Sequence, residues 1–389
     1  MKLFVNARVL PVSSAPLESG AVLVDGSKIA GVGDHLGAPE GTEIIDARGL
    51  TLTPGLVDAH THIASSEEEA LYGLSDNNET TNPVTPGLRI MDSIYPRDRN
   101  IAIARDEGGV TTAQTLPGSA NVIGGMGAII KLRTTAVVDE LLIVPQSCMK
   151  AALGENPIRV YKANGHKTPT TRMGNAYVMR KAFTDARNYV EKKRHAKEDE
   201  AFAVDLDMEA LAMVLDRKLK LSVHSHRADD ICTAVRIAEE FGLDFTIEHC
   251  TEGQFIAPWL AKHHIMAAIG PTFGVPNKPE TRNKTWSTLV ALRDAGVHTC
   301  MITDHPVTPL SGLIVFASMA ARAGLTDAEA LRCVTLSGAE HLGIADRVGS
   351  LDVGKDADIV LWNGDPLDPR TRPVFTMIDG VVEHNGLKS

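Results

Sequence analysis

The sequence has few cysteines, no long apolar run and fewer basic than acidic residues. Its five cysteines are scattered and never form a CxxC pair, which argues against a disulfide scaffold and favours a reducing compartment. No run of about 18 apolar residues occurs, so we expect no transmembrane helix. The first residues contain neither a sustained apolar stretch nor a small-residue cleavage site, so no signal peptide is expected. We therefore predict a cytoplasmic protein.

The charge balance limits the kinds of partner. Lys and Arg number 39 against 49 Asp and Glu, which gives a formal net charge of −10. This argues against a nucleic-acid partner, which favours a basic face, and gives no reason to expect an anionic membrane surface. Hydrophobic residues make up 43% and charged residues 23%, as is typical of a soluble globular protein. We expect a small-molecule substrate and a homo-oligomer.

The two ends of the 389-residue chain differ in pattern from its middle. Both ends show short apolar runs separated by turn residues, which predict strands. The middle alternates strand-like runs with helical patterns of 10–15 residues, such as strand 219–224, helix 229–241 ended by Gly242, and strand 245–249. This alternation is typical of a (β/α)8 TIM barrel within the α/β class. We predict such a barrel over residues 55–345 and a small β-sandwich domain built from residues 1–54 and 346–389.

Two histidines end the first strand of the middle region. Leu56–Ile63 follows the turn-like pair Pro54-Gly55 and predicts a buried strand. Side chains two positions apart on a strand share a face, so His60 and His62 would project together. Neutral imidazoles are common ligands for a divalent metal. A pair of hydrogen-bonded core histidines is the alternative for an isolated HxH.

Further histidines and an aspartate follow other predicted strands. His224 and His226 end one strand, His249 ends the next, and Asp304 follows the strand 298–303. In a barrel, catalytic side chains lie at the carboxyl ends of the strands. Four strand ends with ligand-type residues therefore predict one metal centre rather than separate core residues.

In order along the chain, PGLVDAHTH, HSH, IEHCTEG and TDHP resemble the amidohydrolase superfamily of metal-dependent hydrolases, in particular its imidazolonepropionase and enamidase-type branch. Residues 19–55 and 349–358 resemble the family's β segments, so the likeness covers essentially the whole chain. It implies one metal held by His60, His62 and Asp304, and a second held by His224 and His249. By this resemblance His226 faces substrate or supports the ligands.

The residue between the two metals is ambiguous. Family members place a carboxylated Lys or a Glu there, from a middle strand, and the segment 147–157 contains both Lys150 and Glu155. Their odd separation would put them on opposite faces of a regular strand. We favour Glu155, which lies at the strand end and needs no added CO2. Lys150 is the alternative, as a carboxylated bridge, or else as a buried amine paired with Glu155.

The resemblance also implies the mechanism and cofactor. We expect Zn²⁺, as one or two divalent ions, with iron and manganese as the alternatives. Such an ion polarises a carbonyl and lowers the pKa of bound water toward about 7. Asp304 would take the proton of that water and pass it to the leaving nitrogen, with His226 as a second catalytic residue. The alternative for Asp304 is a helix N-cap.

Several loop residues are candidates for substrate binding. The segment 116–127 is rich in small residues and contains Asn121, but lacks a phosphate-binding GxxxxGK[ST] pattern. A tight turn explains that segment equally well. His166 and Arg172 lie in a loop that can form a lid. Arg227 can bind a carboxylate through its planar fork, or pair with Asp229 or Asp230.

We predict hydrolysis of a carbon–nitrogen bond in a linear amide, a lactam or an imide. A heterocycle deaminase or a dipeptidase is the alternative. A bridging carboxylate favours two metals and amide hydrolysis, whereas its absence favours one metal and deamination. A non-catalytic scaffold on the same fold would be expected to lack ligands, and here every expected position has a candidate.

Overall fold

The computed structural model describes residues 1–66, 76–165, 168–196, 202–276 and 278–387. Within these ranges the chain is an α/β protein. The strands are β1 (Lys2–Val9), β2 (Leu17–Asp25), β3 (Lys28–Gly33), β4 (Glu43–Asp46), β5 (Thr51–Pro54), β6 (Leu56–Thr61), β7 (Val110–Thr115), β8 (Ile123–Met126), β9 (Ala128–Lys131), β10 (Leu142–Val144), β11 (Cys148–Ala152), β12 (Lys220–Ser225), β13 (Phe245–His249), β14 (Met266–Ile269), β15 (His298–Met301), β16 (Ile359–Trp362), β17 (Pro373–Ile378) and β18 (Val381–Asn385). The helices are α1 (Arg99–Asp106), α2 (Val138–Leu141), α3 (Glu155–Ala163), α4 (Arg172–His195), α5 (Leu206–Leu215), α6 (Ala228–Phe241), α7 (Ala257–Lys262), α8 (Ser287–Asp294), α9 (Leu313–Ala323), α10 (Asp327–Cys333) and α11 (Leu336–Leu342).

The two ends of the chain form one mixed sheet. Its strand order is β18-β17-β16-β5-β1-β2-β3, with β4 also paired to β1. The antiparallel pairing of β16 with β5 joins the two ends, with Ile359 opposite Pro54 and Trp362 opposite Thr51. Alternate side chains of these strands, including Phe4, Leu52 and Phe375, form a separate apolar core. The hydrogen-bonded strands of the two ends form one sheet and not two facing sheets. The β-sandwich and the domain boundaries therefore remain predictions.

The middle of the chain contains two further sheets, which carry the site. One has the order β10-β9-β7-β6, and the other β15-β14-β13-β12-β11-β8. From β11 to β15 every pairing is parallel, as the alternating sequence predicts. Helices α6, α7 and α8 connect successive strands of this sheet. All carboxyl ends of these strands therefore lie along one edge.

One segment departs from the predicted parallel pattern. Strands β8 and β9 follow each other with only Gly127 between them, and both run antiparallel to their neighbours β11 and β7. No helix lies between β7 and β8 in residues 116–122, all of which are described. A loop and not a helix therefore connects these two strands. At Gly127, an added Cβ would lie 2.5 Å from Leu116 Cδ2, so a larger residue there would require the Leu116 side chain to shift. The segment 116–127, interpreted from the sequence as a substrate loop or a tight turn, therefore contains strand β8.

Backbone hydrogen bonds also join the segments that follow β6 and β15. The Asp304 N–H donates to the His60 carbonyl at 3.1 Å, and the His62 N–H donates to the His305 carbonyl at 2.8 Å. The side chain of Asp58 reinforces this junction by accepting from the Thr303 N–H at 3.0 Å and hydroxyl at 2.7 Å. Two elements distant in sequence thus present their ends side by side. Among the described helices, none is both long and apolar enough to cross a bilayer.

Candidate metal centre

The first cluster of the site combines His60, His62 and Asp304. Asp304 Oδ1 lies 3.2 Å from His62 Nε2 and 3.5 Å from His60 Nε2. Both histidines are buried, and the aspartate is 16% exposed at the side chain. Asp304 has a φ of 52°, a left-handed conformation that is uncommon outside glycine and is often found at functional sites. The predicted pairing of the HxH histidines with Asp304 in space is therefore present.

The second cluster contains His224, His226 and His249. Their rings lie within 4.3–4.7 Å of one another between centroids, and His226 stacks on His249. The His249 ring also lies 4.9 Å from that of His60, so the two clusters adjoin. In each cluster the ligand-type atoms lie within 4.8 Å of one another. His226 was expected to face substrate or support the ligands. Its ring nitrogen belongs to this cluster together with those of His224 and His249.

Outer hydrogen bonds orient three of these rings. Nδ1 of His62 donates to the Leu116 carbonyl and Nδ1 of His249 to the Gly270 carbonyl, each at 2.7 Å. Nδ1 of His60 lies 3.2 Å from Glu248 Oε2. Because an oxygen acceptor requires a proton on Nδ1, the neutral ring presents its Nε2 lone pair toward the centre. This arrangement is the one found around histidines that bind metals.

Burial keeps four of the five imidazoles neutral. It lowers the pKa of His60 to about 3, with the Lys150 charge acting in the same direction. Burial also lowers the pKa of His224, His226 and His249. For Asp304 burial acts against ionisation, but His249, His62 and His60 outweigh it and hold the pKa of the carboxyl well below its usual range. The centre thus offers neutral nitrogen donors and one anionic oxygen donor.

These residues fit a divalent metal. Nε2 of His249 is buried and has no hydrogen-bond partner among the described residues, which is costly for a polar atom in a protein interior. Several imidazoles with one carboxylate form a donor set suited to zinc and to other first-row metals. The structure thus has two adjoining groups of side chains that can each hold an ion.

Lys150 lies beside the first cluster. It is the third residue of β11, is 1% exposed, and its Nζ is 2.9 Å from His60 Nε2. Its charge also acts on His224 and His249, so the amine lies near both clusters. Burial lowers the pKa of Lys150 to about 8. The residue held as the alternative bridge is therefore the one that the fold brings to the centre.

Glu155, which we favoured as the bridging residue, was predicted at the wrong position in the fold. Glu155 does not end a strand but is the first residue of α3, after Gly154 turns the chain with a φ of 87°. Its carboxylate belongs to neither cluster and lines a surface cavity with Ile158 and Arg159. The sequence did carry the signal, because Pro157 in the first turn is typical of a helix start.

The residues suggested for substrate binding are mostly engaged elsewhere. Asn121 is buried, donates to the Glu79 carbonyl and accepts from the Tyr161 hydroxyl, so its amide supports the fold. Arg227 pairs through two nitrogens with Asp229 at 2.8 and 2.9 Å. Arg172 donates from Nε to Asp230 at 2.9 Å. His166 lies outside the described residues. These contacts give Asn121 a structural role, show for Arg227 the pairing with Asp229 that was its alternative, and tie Arg172 to a charge pair.

Other residues border the centre that sequence reasoning did not single out. Asn156 Nδ2 lies 3.5 Å from His224 Nε2, and its Oδ1 accepts from Lys278 at 3.2 Å. Lys278 also pairs with the buried Glu280 at 2.8 Å. The GENP motif places Asn156 at the start of α3, but only the fold brings Lys278 and Glu280 to it. A polar rim thus flanks the second cluster.

Comparisons with known proteins identify sequence and structural relatives of this chain. The sequence profile described as the amidohydrolase family matches residues 51–385. Amidohydrolase tasK of Hapsidospora irregularis is 32% identical over 94% of this chain, which spans only 40% of that protein. The imidazolonepropionase of Rhizobium rhizogenes is 28% identical, over 93% of this chain and 91% of that enzyme. The crystal structure of an amidohydrolase from Thermotoga maritima MSB8 is similar with a TM-score of 0.95 and 42% identity, covering 99% of this chain and 100% of that one.

Proposed function

Because the chain belongs to the amidohydrolase family, we propose that it is a metal-dependent hydrolase of a carbon–nitrogen bond in an amide, lactam or imide. The observation that carries this proposal is the position of Lys150, whose amine contacts His60 beside two adjoining clusters. We also infer that β6, β7, the β8–β9 segment and β11–β15 curve into one closed barrel of eight positions. The composite domain of residues 1–54 and 346–389 then covers one side of the barrel domain, residues 55–345.

The proposed ligands follow from the donor atoms. His60, His62 and Asp304 would hold one divalent ion, with zinc as the expected metal and iron or manganese as alternatives. His224 and His249 would hold the second, with His226 as a further nitrogen donor or a substrate contact. When bound, such ions polarise a carbonyl and lower the pKa of water toward about 7.

Lys150 would supply the bridge as a carbamate. Its neutral Nζ attacks CO2, a nitrogen–carbon bond forms, and one proton is released, which leaves an anionic carboxylate on the side chain. Burial favours this reaction, because it lowers the pKa of Lys150 to about 8 and so increases the share of free amine. The product exchanges an unfavourable buried ammonium for an oxygen ligand of the type that divalent metals prefer.

Asp304 would move the proton. The pKa of its carboxyl is held well below its usual range, so the group is anionic, and its Oδ1 lies 3.2 Å from His62 Nε2. A weakly basic carboxylate accepts a proton only from a strongly acidified water, and it releases that proton readily. Asp304 Oδ can therefore carry the proton from the attacking water to the leaving nitrogen, which must gain it for the carbon–nitrogen bond to break.

The test begins with metal content per chain, followed by a panel of lactams, imides, N-acyl amino acids, dipeptides and amino-substituted heterocycles. We expect two ions per chain and ring or amide cleavage. The Lys150→Ala variant should lose metal and activity, and a short carboxylic acid should partly restore both. The exposed Lys162→Ala on α3 is the matched control. One ion per chain, with ammonia released only from heterocycles, would instead support a deaminase.

A further inference from the structure

A chain of buried hydrogen bonds extends outward from the first cluster. Its central member is Glu248, which precedes His249 on β13 and is 1% exposed. Glu248 Oε2 lies 3.2 Å from His60 Nδ1, while Oε1 lies 3.0 Å from His341 Nε2 and accepts from the Thr246 hydroxyl at 2.7 Å. Glu248 is a member of neither candidate ligand cluster. Its carboxylate therefore contacts Nδ1 of His60, whereas Nε2 of the same ring faces the first cluster.

The outer end of this chain belongs to a different part of the fold. His341 lies on α11, and its carbonyl accepts from Nζ of Lys220, the first residue of β12. The clusters lie at the other end of the same strand, where His224 and His226 are found. The His341 side chain, itself buried, thus reaches from the amino ends of the strands to the carboxylate that contacts His60.

The contacts define what Glu248 does. A fully buried carboxylate is costly unless donors surround it, and here His60, His341 and Thr246 all point donors at its two oxygens. An anionic acceptor at Nδ1 requires the proton of His60 to stay on that nitrogen. Nε2 of His60 then keeps its lone pair toward Lys150 and Asp304.

We propose that Glu248, held in place by His341, is a positioning residue of the metal centre that fixes the tautomer and orientation of His60. This inference rests on the proposed function only in requiring that the centre bind metal. By this inference α11 affects metal affinity at the opposite end of the strands, through the contact of His341 with Glu248. Glu248 touches no reacting atom in this scheme and acts through His60.

The test measures the affinity of Co²⁺ and Zn²⁺ by competition with a chelator, together with the Co²⁺ absorption spectrum. Glu248→Met keeps the length of the side chain but removes both acceptors, so the metal dissociation constant should rise about 10- to 100-fold. Glu248→Gln can turn its carbonyl oxygen toward His60, so it should recover most of the affinity. His341→Gln should weaken binding less than Glu248→Met does.

Controls separate positioning from general destabilisation. Glu340 lies on the same helix as His341. Glu340→Met removes contacts to His298 and Arg332, so it should leave the metal dissociation constant unchanged. Thermal unfolding of each metal-free variant shows whether it folds. If Glu248→Met does not fold, His341→Gln tests the inference, and a dissociation constant unchanged in that variant would contradict it. Glu248→Met with an affinity within twofold of the wild type would overturn the inference. Failure of the wild type to bind metal would refute the proposed function, and this inference with it.

Discussion

Lys150 combines features that are rarely found in one lysine. It is buried, its amine contacts an imidazole nitrogen, and burial lowers its pKa to about 8. Burial removes the water that usually stabilises an ammonium, and this effect outweighs the opposing charges of Asp304 and Glu248. The amine is therefore suited to react as a nucleophile, whereas most lysines in proteins stay protonated at neutral pH.

The pKa of Lys150 leads to a pH prediction. With a pKa of about 8, the share of free amine rises from roughly a tenth at pH 7 to roughly nine tenths at pH 9. At a fixed concentration of dissolved CO2, carbamate formation on the metal-free protein should therefore increase over this interval. Carbon-13 NMR with labelled CO2 measures it, with Lys150→Ala as the blank. A carbamate signal that stays constant from pH 7 to 9 would contradict the prediction.

Asp304 gives the second prediction at this scale. Asp304→Asn preserves the size of the side chain but removes the proton acceptor, so turnover should fall by about 10²–10⁴-fold. One metal should be retained in part, because His60 and His62 remain. Steady-state kinetics and metal analysis of the same sample separate the two effects. An Asn variant with wild-type turnover would remove Asp304 from the proton path.

At the scale of elements, the turn between β11 and α3 decides which residue reaches the centre. Gly154 adopts a φ of 87°, and a Cβ there would lie 2.5 Å from Glu280 Oε2. The Glu155 N–H that follows donates to the same oxygen at 2.8 Å. The close approach of Glu280 to this backbone fixes where α3 begins, and with it the place of Asn156 beside His224.

Substitution of Gly154 tests this description. Gly154→Ala should lower the free energy of unfolding by about 1–3 kcal/mol, from strain at positive φ and displacement of the buried Glu280. Gly165→Ala is the matched control, since Gly165 has a φ of 74° and an added Cβ there would have no atom of the described residues within 4 Å. Urea unfolding of both variants gives the difference. Equal losses would mean that contact with Glu280 does not matter.

The sequence predicted elements better than it predicted contacts between them. Strand β13 was predicted with its observed bounds, and α6 was predicted to end at Gly242, which adopts a φ of 68°. These features depend on local periodicity and on glycine at a helix end. The exact start of a helix is harder to predict, because Asp205 caps α5 although Asp207, two residues later, also suits that position.

For the candidate site as well, the sequence predicted the residues at strand ends but not all of the contacts between them. Histidines and an aspartate at strand ends were visible because the barrel pattern places strand ends together. Glu155 and Lys150 were confused because the end of β11 was placed too late. The link between Glu248 and His341 spans 93 residues and leaves no local pattern, so it required the fold.

At the scale of the whole molecule, a buried cation joins the chain-end sheet to the middle of the chain. Lys131, the last residue of β9, is fully buried and lies 2.7–3.1 Å from Asp356, Asp358 and Asp379. Burial opposes its charge, but the three carboxylates outweigh burial and raise the pKa of the amine. Lys28 and Arg347 also contact Asp356, so the network extends across several elements.

Removal of the central cation should destabilise the protein strongly. Lys131→Met leaves buried carboxylates without their shared partner, and losses of about 3–5 kcal/mol are typical when one member of a buried ion pair is deleted. Chemical unfolding measures the loss, and Lys192→Met on the exposed face of α4 is the control. If both variants unfold at the same denaturant concentration, the network contributes little to stability.

The pairing of β5 with β16 also has a consequence for biosynthesis. Strand β5 leaves the ribosome early, but its partner is translated roughly three hundred residues later. At a translation rate of about 5–20 residues per second, the apolar face of β5 waits tens of seconds for its neighbour. Over that time Lys131 also lacks Asp356, Asp358 and Asp379. The sheet shared by the two ends of the chain can therefore form only after β16 has been translated, and until then β5 has β1 alone as its hydrogen-bonded neighbour.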